Sequence, residues 1–413
     1  MTEAIMAKAD WRPKADSLVD WLIDAGCQGT PSELMLQSYC ERLVDLGCSI
    51  HRMHVTLSAL HPIYGGLGFV WRRHAPATNE AYKHREEPTD RWVLSPFYMM
   101  IRDARLEYHA SLETREDRAA FPIFEELHAE GATDYFAITR SFEPGVEAIR
   151  PDPNDPGEGV IISWTSEAIG GFEEWETDLI RASVPALSLA LKSESSRRTC
   201  VDVMATYIGD DAAARVLSGE IVRGSCARID TLMWDFDLRG FTALSEQHGG
   251  EVIVEMLNEY FDEVVRLIAG YGGNVLKFMG DGLMASFDLS EGGALGRAAV
   301  DAAAELPSVV AAVTASRRER NLPIAGYGLA LNAGEALYGN IGGESRLDFT
   351  VIGPAVNETA RIQAMCKSLE RPVLLSENVA REFAGHRDDV FSLGRYMLRG
   401  VKEPRELFTF YSG

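Results

Sequence analysis

The run NVLKFMGDGLMASFD at 274–288 constrains the fold more than any other stretch of the chain. Two apolar-rich segments flank Gly280-Asp281-Gly282, and short apolar segments joined by such a turn form a β-hairpin. A hairpin of this size is not stable alone. It needs a further strand and an element to cover its apolar face. Both lie nearby. Upstream, IDTLMWDFD reads as a strand, and a helix over 243–270 places Val252, Met256, Leu257, Tyr260, Phe261, Val264 and Ile268 on one face. Downstream come a helix over 293–320, strands over 325–334 and 347–352, and a helix from Pro354. Strand signals close the chain at 372–376, 389–393 and 407–411. Interleaved helices and strands of this kind predict an α+β domain over residues 229–413.

The preceding half reads as a second domain, over residues 1–194. Helices are expected at 17–26, with Leu18, Leu22 and Ile23 inward, and at 31–47, where Pro31 suits the start and Gly47 the end. Strands follow at 50–60 and 65–73, then a polar, turn-rich excursion at 74–90. A helix at 122–131, strands at 134–142 and 159–166 and a long helix at 172–194, bent at Pro185, complete it. This order resembles GAF-type sensory domains, which implies an α/β regulatory domain with a possible small-molecule ligand. Residues 195–228 are mixed and read as a helical linker or transducer.

With 62 acidic against 40 basic residues, the net charge is −22 in 413 residues. That disfavours non-specific binding to nucleic acid or anionic membranes, although a site can be locally positive. No apolar run reaches the length of about 20 residues that spans a bilayer, and the first residues lack the apolar centre of a signal peptide. The six cysteines form no CxxC pair. Reduced thiols and a cytoplasmic location are the expectation.

The chemistry centres on WDFDLRGFT at 234–242. Alternation puts Asp235 and Asp237 on one side of a strand, opposite Trp234, Phe236 and Leu238. Asp237 ends that strand and Asp281 occupies the hairpin turn. Two carboxylates brought together repel unless a cation lies between them, and Mg²⁺ held by carboxylates and substrate phosphates is the usual solution. On spacing alone, two aspartates that merely form turns are the better explanation of the pattern. Asn357 and Arg361 in VNETAR share a helical face at i, i+4, which by itself is also the pattern of a solvated surface.

Three motifs in order, DLRGFTALSEQ, GGNVLKFMGDGLMASF and DFTVIGPAVNETARI, closely resemble the class III nucleotidyl cyclases, the adenylate and guanylate cyclases. The resemblance covers 229–413 and implies a ferredoxin-like catalytic domain that forms cyclic nucleotides. It assigns the metal ligands to Asp237, Asp281 and the backbone carbonyl of Leu238, for two Mg²⁺ or Mn²⁺ ions, and leaves Asp235 as a strand-face acid. Base recognition falls to Lys277 and Thr350. Lys277 can donate to N1 of adenine and Thr350 can accept from its amino group, whereas guanine needs the opposite polarity, so ATP is the implied substrate. Asn357 would position the ribose and Arg361 the α-phosphate, with Lys402, or its rival Arg399, on the outer phosphates. The family pattern further implies a head-to-tail homodimer in which each site draws on both subunits. A cyclase for another nucleotide, or a silent cyclase-fold signalling protein, are the alternatives.

Three other patterns are set aside. HGGEVIVEM at 248–256 precedes a helix, whereas the GGE signature of diguanylate cyclases sits in a hairpin. GNIGGES at 339–345 lacks the Lys-Ser/Thr of a phosphate loop and reads as a turn. Cys48, His51 and His54 cannot share one strand face and have no obvious fourth zinc ligand.

Overall fold

The computed structural model describes residues 11–58, 64–83, 89–150, 152, 157–290 and 293–411. They divide into two compact units, Met1–Val203 and Met204–Gly413.

The first unit is built on a six-stranded antiparallel sheet in the order β3-β2-β1-β6-β5-β4. Its strands are β1 (Ile50–Ser58), β2 (Tyr64–Arg72), β3 (Ala75–Lys83), β4 (Glu107–Ser111), β5 (Asp134–Ser141) and β6 (Gly159–Ser166). Helices Arg12–Cys27, Ser32–Asp45 and Glu174–Ile208 cover one face, packing Leu22, Tyr39 and Leu187 against Met53, Val55 and Trp164. Helices Pro96–Arg102 and Pro122–Ala129 lie on the other, around Phe97, Phe124, Tyr135 and Ile161.

Three expectations change here. Ile23 is 45% exposed, because the helix turns Ala15, Leu18, Leu22 and Ala25 inward. The polar stretch at 74–90 contains β3, an exposed edge strand whose APATNEAYK sequence needs no apolar face. The long helix does not stop at 194. It runs through Pro185 to Ile208 and ends at Gly209, whose φ of +86° suits a residue without a side chain. Cys48 is buried core, His54 stacks on Phe97 and His51 contacts Glu167, as ordinary strand residues would.

The second unit holds an eight-stranded sheet in the order β13-β14-β12-β10-β7-β9-β8, with β11 paired to β10. The strands are β7 (Cys226–Arg239), β8 (Asn274–Met279), β9 (Gly282–Asp288), β10 (Gly326–Gly342), β11 (Leu347–Ile352), β12 (Val373–Ser376), β13 (Val390–Tyr396) and β14 (Arg405–Phe410). Only β10 and β12 run parallel; the other pairs are antiparallel. Helices Gly250–Gly270 and Ala294–Glu319 bury Met256, Tyr260, Val264, Val300 and Leu306 against Trp234, Phe236 and Phe287. Side chains this large and this enclosed each contribute about 2–3 kcal/mol. Helix Pro354–Ser368 covers the opposite face, where Ile362 and Cys366 meet Ala330 and Leu374.

The helix expected over 243–270 is broken. His248 is extended and Gly249 caps a new start, leaving Phe241–Gln247 and Gly250–Gly270 as separate helices. The inward face shifts accordingly from Val252 to Ile253. Helix Ala294–Glu319 is long and apolar enough to span a membrane by composition, contrary to the sequence reading. Here it is a core helix, with Arg317 fully buried and paired to Glu259 at 2.8 Å. The strand, Gly326–Gly342, continues through the first four residues of GNIGGES, so the turn begins only at Gly343.

Candidate active site

Strand β7 delivers Asp237 to its C-terminal end, opposite Gly282 at the start of β9. The amide of Leu238 donates to the carbonyl of Asp281 at 3.0 Å, pinning the hairpin turn against the end of β7. Gly280 enters the turn at φ +66°, a conformation that favours glycine. The two aspartates are thereby neighbours although 44 residues separate them in sequence. Asp237 is pushed up to about 6, first by burial and then by the Asp281 carboxylate, against a hydrogen bond from Gln363 and the Arg239 guanidinium. Leu238 is 1% exposed, and its side chain belongs to the core.

Close packing fixes this corner. A Cβ on Gly282 would stand 2.6 Å from the Phe236 carbonyl and 3.2 Å from an Asp237 carboxylate oxygen. Gly282→Ala is therefore expected to destabilise the unit by about 1–3 kcal/mol and to displace the aspartates. Thermal unfolding and turnover of the variant check this together; an unchanged melt would show that the corner yields freely.

Asp235 departs from expectation. The strand face it shares with Asp237 is not wet, because helix Pro354–Ser368 lies over it. Asp235 is only 7% exposed and is pushed up to about 7, mainly by burial and secondarily by Asp237.

Lys277 and Thr350 come from β8 and β11 and meet directly: Lys277 Nζ donates to Thr350 Oγ1 at 3.1 Å. Thr350 is 8% exposed, so its hydroxyl is held in place by its surroundings. A donor and an acceptor thus sit side by side, at positions 73 residues apart.

Asn357, Arg361 and Lys402 line one cavity of about 510 Å³, together with Gly353, Glu358 and Gly400. Pro354 opens the helix that carries the first two. Gly400 turns the chain beside Arg361 at φ +69°, a conformation that favours glycine. Arg399 does not line this cavity. Glu358, absent from the sequence reading, lines the same cavity and pairs with Arg405 at 2.9 Å. Gln363 was also missed. No periodicity marks a residue that matters only because a distant strand ends beneath it.

These groups do not form one cluster within a single chain. Gln363, which contacts Asp237, lies two residues beyond Arg361, and about 200° around the helix separates their directions. Among the described residues no group of three or more His, Cys, Asp or Glu gathers into a metal site. Asp237, Asp281 and one backbone carbonyl are too few to complete the shell of a hard cation; phosphate oxygens and water would supply the rest.

Residues 230–411 match the family described as the adenylate and guanylate cyclase catalytic domain. The adenylate cyclase of Anabaena cylindrica is 31% identical over 148 residues, 36% of this chain and 30% of that protein. Adenylate cyclase 1 of Rhizobium meliloti is 24% identical over 205 residues, 49% of this chain and 31% of that protein. The crystal structure of the adenylyl cyclase CyaB from P. aeruginosa aligns with a TM-score of 0.41 at 25% identity, covering 46% of this chain and 97% of that one. This chain spans about a third of the length of the curated relatives it matches. Motifs and the family match fall on the same segment, residues 230–411, which carries the adenylate and guanylate cyclase catalytic domain.

Proposed function

We propose that the chain is a cytoplasmic adenylate cyclase, converting ATP to 3′,5′-cyclic AMP and pyrophosphate at two equivalent sites of a head-to-tail homodimer. The observation that carries the choice of ATP is the Lys277–Thr350 hydrogen bond. It presents a donor for adenine N1 beside an acceptor for the 6-amino group, and guanine offers neither in that order.

Asp237, Asp281 and the Leu238 carbonyl are the groups to hold two Mg²⁺ or Mn²⁺ ions, and the mutual repulsion of the two carboxylates fits that role. Such ions, when bound, acidify the ribose 3′-hydroxyl and neutralise the triphosphate. The 3′-oxygen forms a bond to the α-phosphorus as the bond to the β-phosphate oxygen breaks. Asn357 orients the ribose for that in-line approach. Arg361 faces the charge that grows on the α-phosphate, and Lys402 holds the outer phosphates that leave as pyrophosphate. The need for a second subunit rests on the partition of these groups to different sides of helix Pro354–Ser368.

The N-terminal unit is the regulatory domain in this reading, GAF-like in its antiparallel sheet with helices on both faces.

Turnover of ATP, GTP, CTP and UTP by the purified chain with Mg²⁺ or Mn²⁺ tests the proposal. Cyclic AMP as the dominant product is expected. A different preferred nucleotide overturns the substrate, and no turnover with any of the four makes the domain a silent signalling module. Within this reading, Lys402→Ala is expected to weaken ATP use by about tenfold or more, while Arg399→Ala changes it less than about twofold. Steady-state kinetics on the pair distinguish them.

A further inference from the structure

Arg52 lies in the middle of β1 with 9% of its surface exposed, and its Nε has no hydrogen-bond partner. An Nε so placed has lost its hydration without recovering it from a protein acceptor. Its neighbours in the sheet sharpen the problem. Directly opposite on β2 is Arg72, and directly opposite on β6 is Thr165, followed by Tyr135 on β5. The four form one transverse row, and residues paired this way point to the same face of the sheet. Like charges directly opposite one another are destabilising.

Arg72 has a partial counterion in Glu130, at 3.3 and 3.4 Å. No carboxylate among the described residues hydrogen-bonds Arg52. Burial and then Arg72 both disfavour its protonated form. Thr165 is fully buried and its Oγ1 also lacks a partner. In the adjacent row, His54 stacks on Phe97 at 5.4 Å and is pushed down to about 3, by burial first and then by Arg52, Arg91 and Arg72. The row offers donors and positive charge, and the carboxylates that favour the Arg52 charge, Glu130 and Glu80, act on it without a hydrogen bond.

We propose that Arg52, Arg72 and Thr165 form a binding site for a small oxyanion, the carboxylate or phosphate group of a low-molecular-weight ligand. The planar guanidinium of Arg52 can engage two oxygens at once, and the Thr165 hydroxyl can donate to one of them. A bound anion removes the repulsion between the two arginines and fills both orphaned donors. No covalent step is involved.

The test uses the full chain in an anion-poor buffer at constant ionic strength. Sodium acetate and inorganic phosphate are titrated separately, with sodium chloride as the control, and binding is read by calorimetry and thermal unfolding. Acetate or phosphate is expected to bind saturably and raise the melting temperature beyond the chloride control. The stronger of the two identifies a carboxylate or a phosphoryl ligand. Arg52→Met is expected to bind about tenfold or more weakly, yet to melt at or above wild type without the anion, because an uncompensated charge has gone. Thr165→Val should keep the fold and weaken binding several-fold. The proposal is overturned if chloride reproduces the response, or if Arg52→Met binds as tightly as wild type. It is equally overturned if Arg52→Met melts well below wild type without anion, which would show that the chain already compensates this charge. None of these readouts involves nucleotide turnover, so this site and the cyclase reading stand or fall separately.

Discussion

A one-to-one mixture of Asp281→Ala and Arg361→Ala subunits is expected to recover about a quarter of wild-type turnover, although each variant alone is nearly inactive. Asp281→Ala removes one of the two carboxylates at the end of β7, and Arg361→Ala removes the cation proposed to face the α-phosphate. Losing either group should lower turnover by about 10²–10³. The rescue follows from where the structure puts them. Asp237 and Asp281 meet at the hairpin turn, whereas Arg361 lines a cavity with Asn357 and Lys402 on another side of helix Pro354–Ser368. If each site takes its aspartates from one subunit and its arginine from the other, a mixed dimer carries both lesions in one site and none in its second. Random pairing makes half the dimers mixed, and half the sites of each are intact. Co-expression with different affinity tags isolates the mixed species, and cyclic nucleotide formation is then measured per dimer. Purified mixed dimers no more active than the parents would show that each site is built from one chain.

How far the sequence reached depends on what each residue answers to. Strands β6 and β11 are short runs of strand-forming residues bounded by turn residues, and their limits at 159–166 and 347–352 were readable to the residue. Strand β3 was not, because an exposed edge strand carries no apolar period. Helix Glu174–Ile208 outran its predicted end because its later turns are polar, and only Gly209 stops it. Asp235 shows the same limit at the site. Alternation correctly grouped it with Asp237, but whether that face is wet depends on a helix beginning at Pro354, more than a hundred residues later. Lys277 and Thr350 share no local pattern; only the motif likeness paired them, and the hydrogen bond between them is a feature of the folded chain. The choice between Lys402 and Arg399 was open in sequence because the segment between Tyr396 and Arg405 has no periodic register, and the cavity wall includes Lys402 alone of the two.

That hydrogen bond also makes the proposed purine preference open to reversal. Combining Lys277→Glu with Thr350→Cys is expected to lower ATP turnover by about 10²-fold or more in kcat/KM and to raise GTP turnover. Lys277 is a donor that cannot accept, so it suits the unprotonated N1 of adenine and opposes the N1–H of guanine. A carboxylate at 277 inverts that polarity: it accepts from the guanine N1–H and amino group, and it leaves adenine N1 facing a like lone pair. Thr350 is 8% exposed, so its hydroxyl cannot turn away to solvent, and an acceptor kept there would face the guanine O6 unfavourably. Cysteine fits the same volume and presents a weak donor. Lys277→Glu alone would leave a carboxylate at the position from which Lys277 now donates to Thr350, so the single variant should lose ATP use without a full gain for GTP. The double variant should therefore exceed the sum of the two single changes, as residues in contact do. Kinetics with both purine nucleotides, alongside a thermal melt to confirm the fold, measure this. Equal loss for ATP and GTP in a well-folded double variant would mean that these two side chains support the site without reading the base.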